Sequence, residues 1–269
     1  MIYSYNFQLI ESQDLRIGPE NRLFQYGDGL FETIILRNGT ISNLDEHYKR
    51  LIHGAEIMKI SCDNHFFDRL EENLRKIVAS FNKPKGKIKI HLWRTEGGLF
   101  EPMSNEPSIL ISICDFQQKE IHTLKSYSFY RAEGLVQSRT SSFKSSSASE
   151  YVLAGLEKKS LKCDELIILN RDSHLAECLY SNLYWVKGQE IFTPSLESGC
   201  ISGISRKFTL DYFASKNIRI QEGLFVKDDI ENADMIFNTN VANIQILKPS
   251  STNSIIQSHL EEIHRIFYS

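Results

Sequence analysis

Between residues 66 and 116 the spacing of apolar residues changes once, and that change constrains the fold more than any other feature. The stretch "FFDRLEENLRKIVASFN" repeats its apolar positions at helical spacing and is stopped by "NKPKG". The runs "KIKIHLWR" and "SILISICDF" then read as strands, separated by the glycine-containing loop "TEGGLFEPMSNEP". Amphipathic helices interleaved with strands bury one face on a sheet, so the expected class is α/β (α+β). Upstream, "LFETIILRNGTISNL" reads as a hairpin turning at "RNG". "LDEHYKRLIHGAEIMKI" carries Leu44, Leu51, Ala55 and Met58 on one helical face, and "MIYSYNFQLI" reads as a first strand.

After about residue 116 the chain turns polar ("QQKEIHTLK"), which divides it into an N-terminal α/β domain, 1–116, and a second domain, 117–269. The second part opens with the strand "SYSFYRA" and a serine run. The helix "EYVLAGLEKKSLK", the strand "ELIILN" and the hairpin pair "SNLYWV"/"EIFTP" follow. The helix "SRKFTLDYFASKN", strands near "RIQEGLF" and "ADMIFNTN", and a terminal helix "SHLEEIHRIFYS" complete it.

A chain of 269 residues, 41% hydrophobic and 24% charged, has the composition of a globular protein with real cores. A net charge of −3 gives no electrostatic case for nucleic acid or an anionic membrane. No apolar run approaches the roughly 20 residues of a spanning helix, and the N-terminus lacks a basic n-region and an h-region. A cytoplasmic protein is expected. Cys62, Cys114, Cys163, Cys178 and Cys200 are odd in number and never form CxxC, and the eight histidines form no HExxH, so neither a disulfide framework nor a metal site is expected.

Lys144 sits inside the serine run "SRTSSFKSSSASEYVLAGLEKKSL". Such runs are often solvated linkers, and the lysine is then an ordinary exposed charge. Against that, Ser147 and Glu150 have the spacing of a capping box, and Val152, Leu153 and Leu156 would give the following helix a buried face. The small serines would leave room for another molecule beside the backbone. Glu177 lies among apolar and aromatic neighbours, which makes it an ion-paired structural group or an anion held for chemistry. "GCISGISRKF" places Gly203, Ile204 and Ser205 at a helix start, either a capped surface helix or an anion site that phosphate would fit. Arg50 by default is a solvated charge.

Taken together, "FQYGDGLFETI" (24–34), "LDEHYKRL" (44–51), "FKSSSASEYVLAGL" (143–156), "ECLYSNLYWV" (177–186), "GCISGISR" (199–206) and "FNTNVANIQIL" (237–247) resemble the fold-type IV (class IV) pyridoxal-phosphate enzymes. That family includes aminodeoxychorismate lyases and branched-chain and D-amino-acid aminotransferases. The resemblance implies a homodimer of two-domain subunits, each with a smaller N-terminal and a larger C-terminal lobe and pyridoxal 5′-phosphate between them. It implies that Lys144 bonds to the cofactor aldehyde and then shuttles protons, and that Glu177 pairs with the pyridine nitrogen. Arg50, Gly203, Ile204, Ser205, Thr239 and Asn240 would hold the phosphate, and Tyr26, Phe31 and Arg94 would contact a small-molecule substrate.

Within the family the chain looks closer to the lyases, which convert 4-amino-4-deoxychorismate to 4-aminobenzoate and pyruvate. The asparagine–tyrosine pair usual after the lysine in branched-chain aminotransferases is Ala148–Ser149 here. Three features also depart from the lyase pattern: Leu99 stands where those enzymes often have an arginine, Ser147 where they often have an asparagine, and the last motif, "NTNVANIQIL", lacks the usual proline-valine. The alternative is an aminotransferase acting on branched-chain or D-amino acids with a 2-oxo acid acceptor.

Overall fold

The computed structural model describes residues 1–250 and 253–268. The chain forms two compact units, and their membership is not a single cut. Residues 1–117 form the first unit together with Phe143–Ser147, and the rest forms the second.

In the first unit the elements run β1 (Ile2–Tyr5), β2 (Gln8–Ile10), α1 (Arg22–Tyr26), β3 (Gly29–Arg37), β4 (Thr40–Ile41), α2 (Leu44–Met58), α3 (Asn64–Phe81), β5 (Gly86–Arg94) and β6 (Pro107–Asp115). The strands form one antiparallel sheet in the order β2-β1-β6-β5-β3-β4. β3 and β5 pair without a bulge from Gly29↔Trp93 to Leu36↔Gly86. Side chains alternate across a strand, so Leu30, Ile34 and Leu36 share one face with Ile88, Ile90 and Leu92. Leu51 and Ala55 of α2 and Leu70, Leu74 and Ile77 of α3 pack into the same core cluster. Asp63 caps α3, accepting the N–H of Phe66 at 2.7 Å. The expected hairpin at "RNG" is present as β3–β4. The expected single first strand is instead the hairpin β1–β2, because Asn6 (φ 46°) and Phe7 (φ 69°) adopt left-handed backbone that reverses the chain.

The second unit continues with β7 (His122–Thr123), β8 (Tyr127–Arg131), α4 (Ser149–Leu161), β9 (Glu165–Leu169), β10 (Leu175–Cys178), β11 (Asn182–Lys187), β12 (Glu190–Pro194), α5 (Ile204–Ser215), β13 (Ile220–Gly223), α6 (Lys227–Glu231), β14 (Met235–Thr239), β15 (Ile244–Lys248) and α7 (Ser254–Phe267). They build a three-stranded sheet, β10-β9-β8, and a six-stranded one, β13-β12-β11-β14-β15-β7. Tyr184 and Phe237, stacked with ring centroids 4.8 Å apart, belong to one core cluster with Phe213 of α5 and Leu260 and Ile263 of α7. α4 corrects the sequence expectation. Its N-cap residue is Ala148, with no side-chain cap bond, so the Ser147–Glu150 capping box does not form. Val152, Leu153 and Leu156 are 62%, 49% and 60% exposed. The helix turns Ala154 and Tyr151 inward instead, and both belong to the cluster that includes Leu166 and Ile168 of β9. Those two positions are one helical turn apart, which sets the buried face roughly opposite the one the sequence suggested.

Candidate active site

In the first unit the middle of the serine run is an ordered strand edge. Phe31 donates its N–H to the carbonyl of Lys144 at 2.8 Å, Ser146 donates to Gly29 O at 2.9 Å, and Leu30 bridges Ser145. These bonds satisfy the backbone that β3 would otherwise leave open at its start. Alternation then assigns the side chains to faces. Phe143 is buried in the core cluster against α2, where a Cβ on Gly54 would stand 3.0 Å from its ring. Lys144 therefore points to the other face, where its Nζ lies 5.4 Å from the centroid of Phe31. Phe31 is half-buried and pairs across the sheet with His91, their rings 6.0 Å apart. The structure thus brings together Lys144 and Phe31, two of the residues singled out in the sequence.

Arg50 is buried on the helix side of the sheet. Its Nε and Nη2 donate to the two carboxylate oxygens of Glu32, each at 2.7 Å, and His47 Nδ1 lies 2.7 Å from the same carboxylate. Burial of Glu32 opposes its charge, but Arg50 and His47 outweigh that cost and hold the carboxyl at about 2. The side-on pairing fixes the plane of the Arg50 guanidinium.

Tyr26 is half-buried beneath the loop after β5, its ring 5.6 Å from Phe100 and 5.0 Å from the Arg22 guanidinium. Arg94 is buried and fully engaged. Its N–H groups donate to both Asp28 oxygens, to the carbonyls of Met58 (2.6 Å) and Lys59 (3.0 Å) and to Asn105 Oδ1. Five donors serve five acceptors, which leaves none for a substrate carboxylate, so the expected substrate role of Arg94 gives way to a structural one. Arg22 completes this lock: it pairs with Asp28 at 2.7 Å and donates to the carbonyls of Gly97, Gly98 and Leu99.

In the second unit Glu177, on β10, is 3% exposed. Tyr151 Oη donates to its Oε1, and the Ile201 N–H approaches Oε2 at 3.4 Å. Burial, and then the charge of Glu177, push the Tyr151 hydroxyl well above its usual range, so the proton stays on the tyrosine and the carboxylate accepts. Gly203 is the N-cap residue of α5 and supplies no side-chain cap, so the first N–H groups of that helix have no capping oxygen from it. An added Cβ there would stand 2.0 Å from Asn182 Oδ1, so only glycine fits. Asn182 also donates to Ile201 O at 2.8 Å, which shapes the approach to the helix. Ser205 and Thr239 are buried, their hydroxyls 3.3 Å apart. Asn240 is turned to other work: its Oδ1 accepts from the N–H groups of Ala242 and Asn243 and its Nδ2 donates to Tyr180 O, which closes the β14–β15 turn.

Glu32, His47, Tyr151 and Asn182 escaped the sequence reading. Glu32 left one signal, a carboxylate on the core face of an otherwise apolar strand.

The first unit offers a lysine amine; the second offers, by itself, a buried carboxylate held by a tyrosine and a glycine-started helix N-terminus beside two hydroxyls. These suit an aldehyde, a protonated ring nitrogen and a phosphate respectively, and so fit pyridoxal 5′-phosphate by donor chemistry. A family model described as amino-transferase class IV matches residues 29–245. The chain is 27% identical over 232 residues to an aminodeoxychorismate lyase of Vibrio harveyi, covering 82% of each protein. It is 25% identical over 243 residues to a D-alanine aminotransferase of Bacillus licheniformis, covering 88% of this chain and 83% of that one. Among solved structures, a branched-chain aminotransferase from Thermoproteus uzoniensis superposes with a TM-score of 0.87 at 18% identity, covering 99% of this chain and 94% of the other. The fold and these matches define an enzyme of the pyridoxal-phosphate type. This chain belongs to the class IV aminotransferase family.

Proposed function

We propose that the protein is an aminodeoxychorismate lyase, which releases pyruvate from 4-amino-4-deoxychorismate and leaves 4-aminobenzoate. The observation that carries this is the seating of Lys144 on the edge of β3, its amine against Phe31, in a chain whose curated relatives include that lyase. Bound pyridoxal 5′-phosphate supplies an aldehyde to the amine and a ring that draws electrons from the substrate carbon. Lys144 takes the proton from C4 of the substrate. The ring C–O bond to the enolpyruvyl group breaks, the six-membered ring becomes aromatic, and the proton returns to the departing three-carbon unit. Phe31 covers one side of the Lys144 ammonium and limits its contact with water. Glu177, fixed by Tyr151, holds a proton on the pyridine nitrogen. The N–H groups of Ile204 and Ser205 and the Thr239 hydroxyl would bind the phosphate, a role the family resemblance also gives to the guanidinium of Arg50. A homodimer in the cytoplasm is part of the proposal. Among the described residues no helix is long and apolar enough to cross a membrane.

A second reading, an aminotransferase for D- or branched-chain amino acids, draws on the 25% identity to the D-alanine enzyme. One experiment separates the two. Purified protein loaded with cofactor is given aminodeoxychorismate, and pyruvate is measured; separate samples receive D-alanine and L-glutamate, with the visible band followed. Pyruvate release with an unchanged band under both amino acids supports the lyase. A band bleached by either amino acid, with no pyruvate from aminodeoxychorismate, rejects it.

A further inference from the structure

Phe31 is flanked by a second ammonium. Lys89 lies on β5, two residues before His91 and so on the same face as His91 and Phe31, and its Nζ is 5.0 Å from the Phe31 centroid. Lys144 approaches the same ring at 5.4 Å. Lys89 is exposed, and among the described residues no carboxylate pairs with it. His91 on this face does not add charge. Burial and then Lys89 itself lower the His91 imidazole to about 4, so it is neutral at physiological pH. Two nearby arginines are committed: Arg94 has every N–H engaged, and Arg22 is bound to Asp28 and three loop carbonyls, while Lys87, two residues before Lys89 on the same face, is exposed. Leu99 replaces the expected loop cation with an exposed apolar side chain.

We infer that Lys89 is a specificity-determining residue that binds a carboxylate of the substrate while Lys144 takes the proton from the carbon that bears the substrate amine. This rests on the lyase reading above and adds to it the residue that reads the acid group. Two ammonium groups repel, and placing both against one aromatic ring is favourable when an anion arrives beside them. An α-amino acid carries its carboxylate one carbon from the carbon at which Lys144 acts, too near that carbon to reach a separate lysine. A cyclic amine with a carboxylate across or around a six-membered ring can. Lys89 therefore selects for ring-borne carboxylates over simple amino acids, and it does the work left open by Leu99.

The test uses the loaded enzyme and the variants Lys89→Met and Lys89→Arg, both at an exposed position. KM for aminodeoxychorismate, from pyruvate release, is expected to rise about 10-fold or more in Lys89→Met, with kcat changed less than about 3-fold, as expected for lost binding in the ground and transition states alike. Lys89→Arg should recover most of the loss. Equilibrium binding of 4-aminobenzoate, followed by quenching of protein fluorescence, should weaken by a similar factor without any turnover. Raising salt should increase KM of the wild type and leave Lys89→Met nearly flat. Unchanged KM and unchanged 4-aminobenzoate affinity in Lys89→Met overturn the role of Lys89 while wild-type pyruvate release keeps the lyase reading intact. A wild type that releases no pyruvate overturns the lyase reading and the assignment of Lys89 with it.

Discussion

Strand β5 carries Lys89 in its middle and Arg94 at its end, and the fold treats the two cations in opposite ways. Arg94 is buried, and every N–H it has is bound to Asp28, Asn105 or a backbone carbonyl. Lys89 is exposed and laid over an aromatic ring, and among the described residues no carboxylate pairs with it. A planar fork with five donors suits a permanent joint between loops, and a single ammonium on a flexible stem suits a partner that comes and goes. Arg50 follows the first pattern through Glu32, and Lys144 shares the ring of the second. Of these four residues, Arg94 and Arg50 are each fixed by a carboxylate, and Lys89 and Lys144 share one ring.

The largest effect on activity is expected at the lysine end of that contrast. Lys144→Ala should remove the visible band of the loaded protein and lower turnover by at least about 10²–10⁴-fold, the usual worth of a positioned base, while leaving the circular dichroism spectrum unchanged. A variant that keeps its band and its rate would end the assignment. The largest effect on stability is expected at the arginine end. Glu32→Gln leaves Arg50 without its buried counter-ion and should cost about 3–5 kcal/mol in urea unfolding. Glu32 also predicts an acid limb. Its carboxyl is lowered from 4.5 to about 2, so its contribution is complete above 4.5 and is lost as pH falls through about 2. Unfolding midpoints measured from pH 6 down to pH 2 should fall in the wild type, and the part due to Glu32 should vanish in the glutamine variant.

Arg94→Lys sharpens the contrast directly. It should lower stability by about 1–3 kcal/mol, because an ammonium cannot span five acceptors, with KM unchanged. A raised KM with unchanged stability would return Arg94 to the substrate. The smallest effect is expected at Leu156→Ser, within about 0.5 kcal/mol in the same urea assay, because that side chain faces outward from α4.

How much of this was legible before the fold was known differs by region. The β3–β4 hairpin, α2, α3 and the β11–β12 hairpin follow from local spacing and turn chemistry, which act over a few residues. The direction of α4 was not legible, since Val152, Leu153 and Leu156 have the spacing of a buried stripe and only the packing of Tyr151 and Ala154 decides otherwise. The reversal at Asn6–Phe7 was missed because Phe7 is an unusual residue for left-handed backbone. Motif order singled out Lys144, Glu177 and Gly203, but the partners that hold such residues come from distant strands and helices. Tyr151 beside Glu177 and Asn182 beside Gly203 have no local signature, and the engagement of Arg94 appears only when Met58, Lys59 and Asn105 are folded around it.

The five residues Phe143–Ser147 belong to the first unit although the chain before and after them builds the second. A ribosome completes residues 1–117 with the start of β3 still lacking the backbone partner that Lys144 and Ser146 supply. The sheet waits for a short stitch made later, and the amine that carries the proposed reaction arrives with that stitch. Residues 1–117 produced alone would thus display an open seam, and a synthetic peptide with the sequence FKSSS is the natural piece to close it. The same polypeptide crossing that completes the sheet thereby delays the proposed reactive group until just over half of the chain has been made.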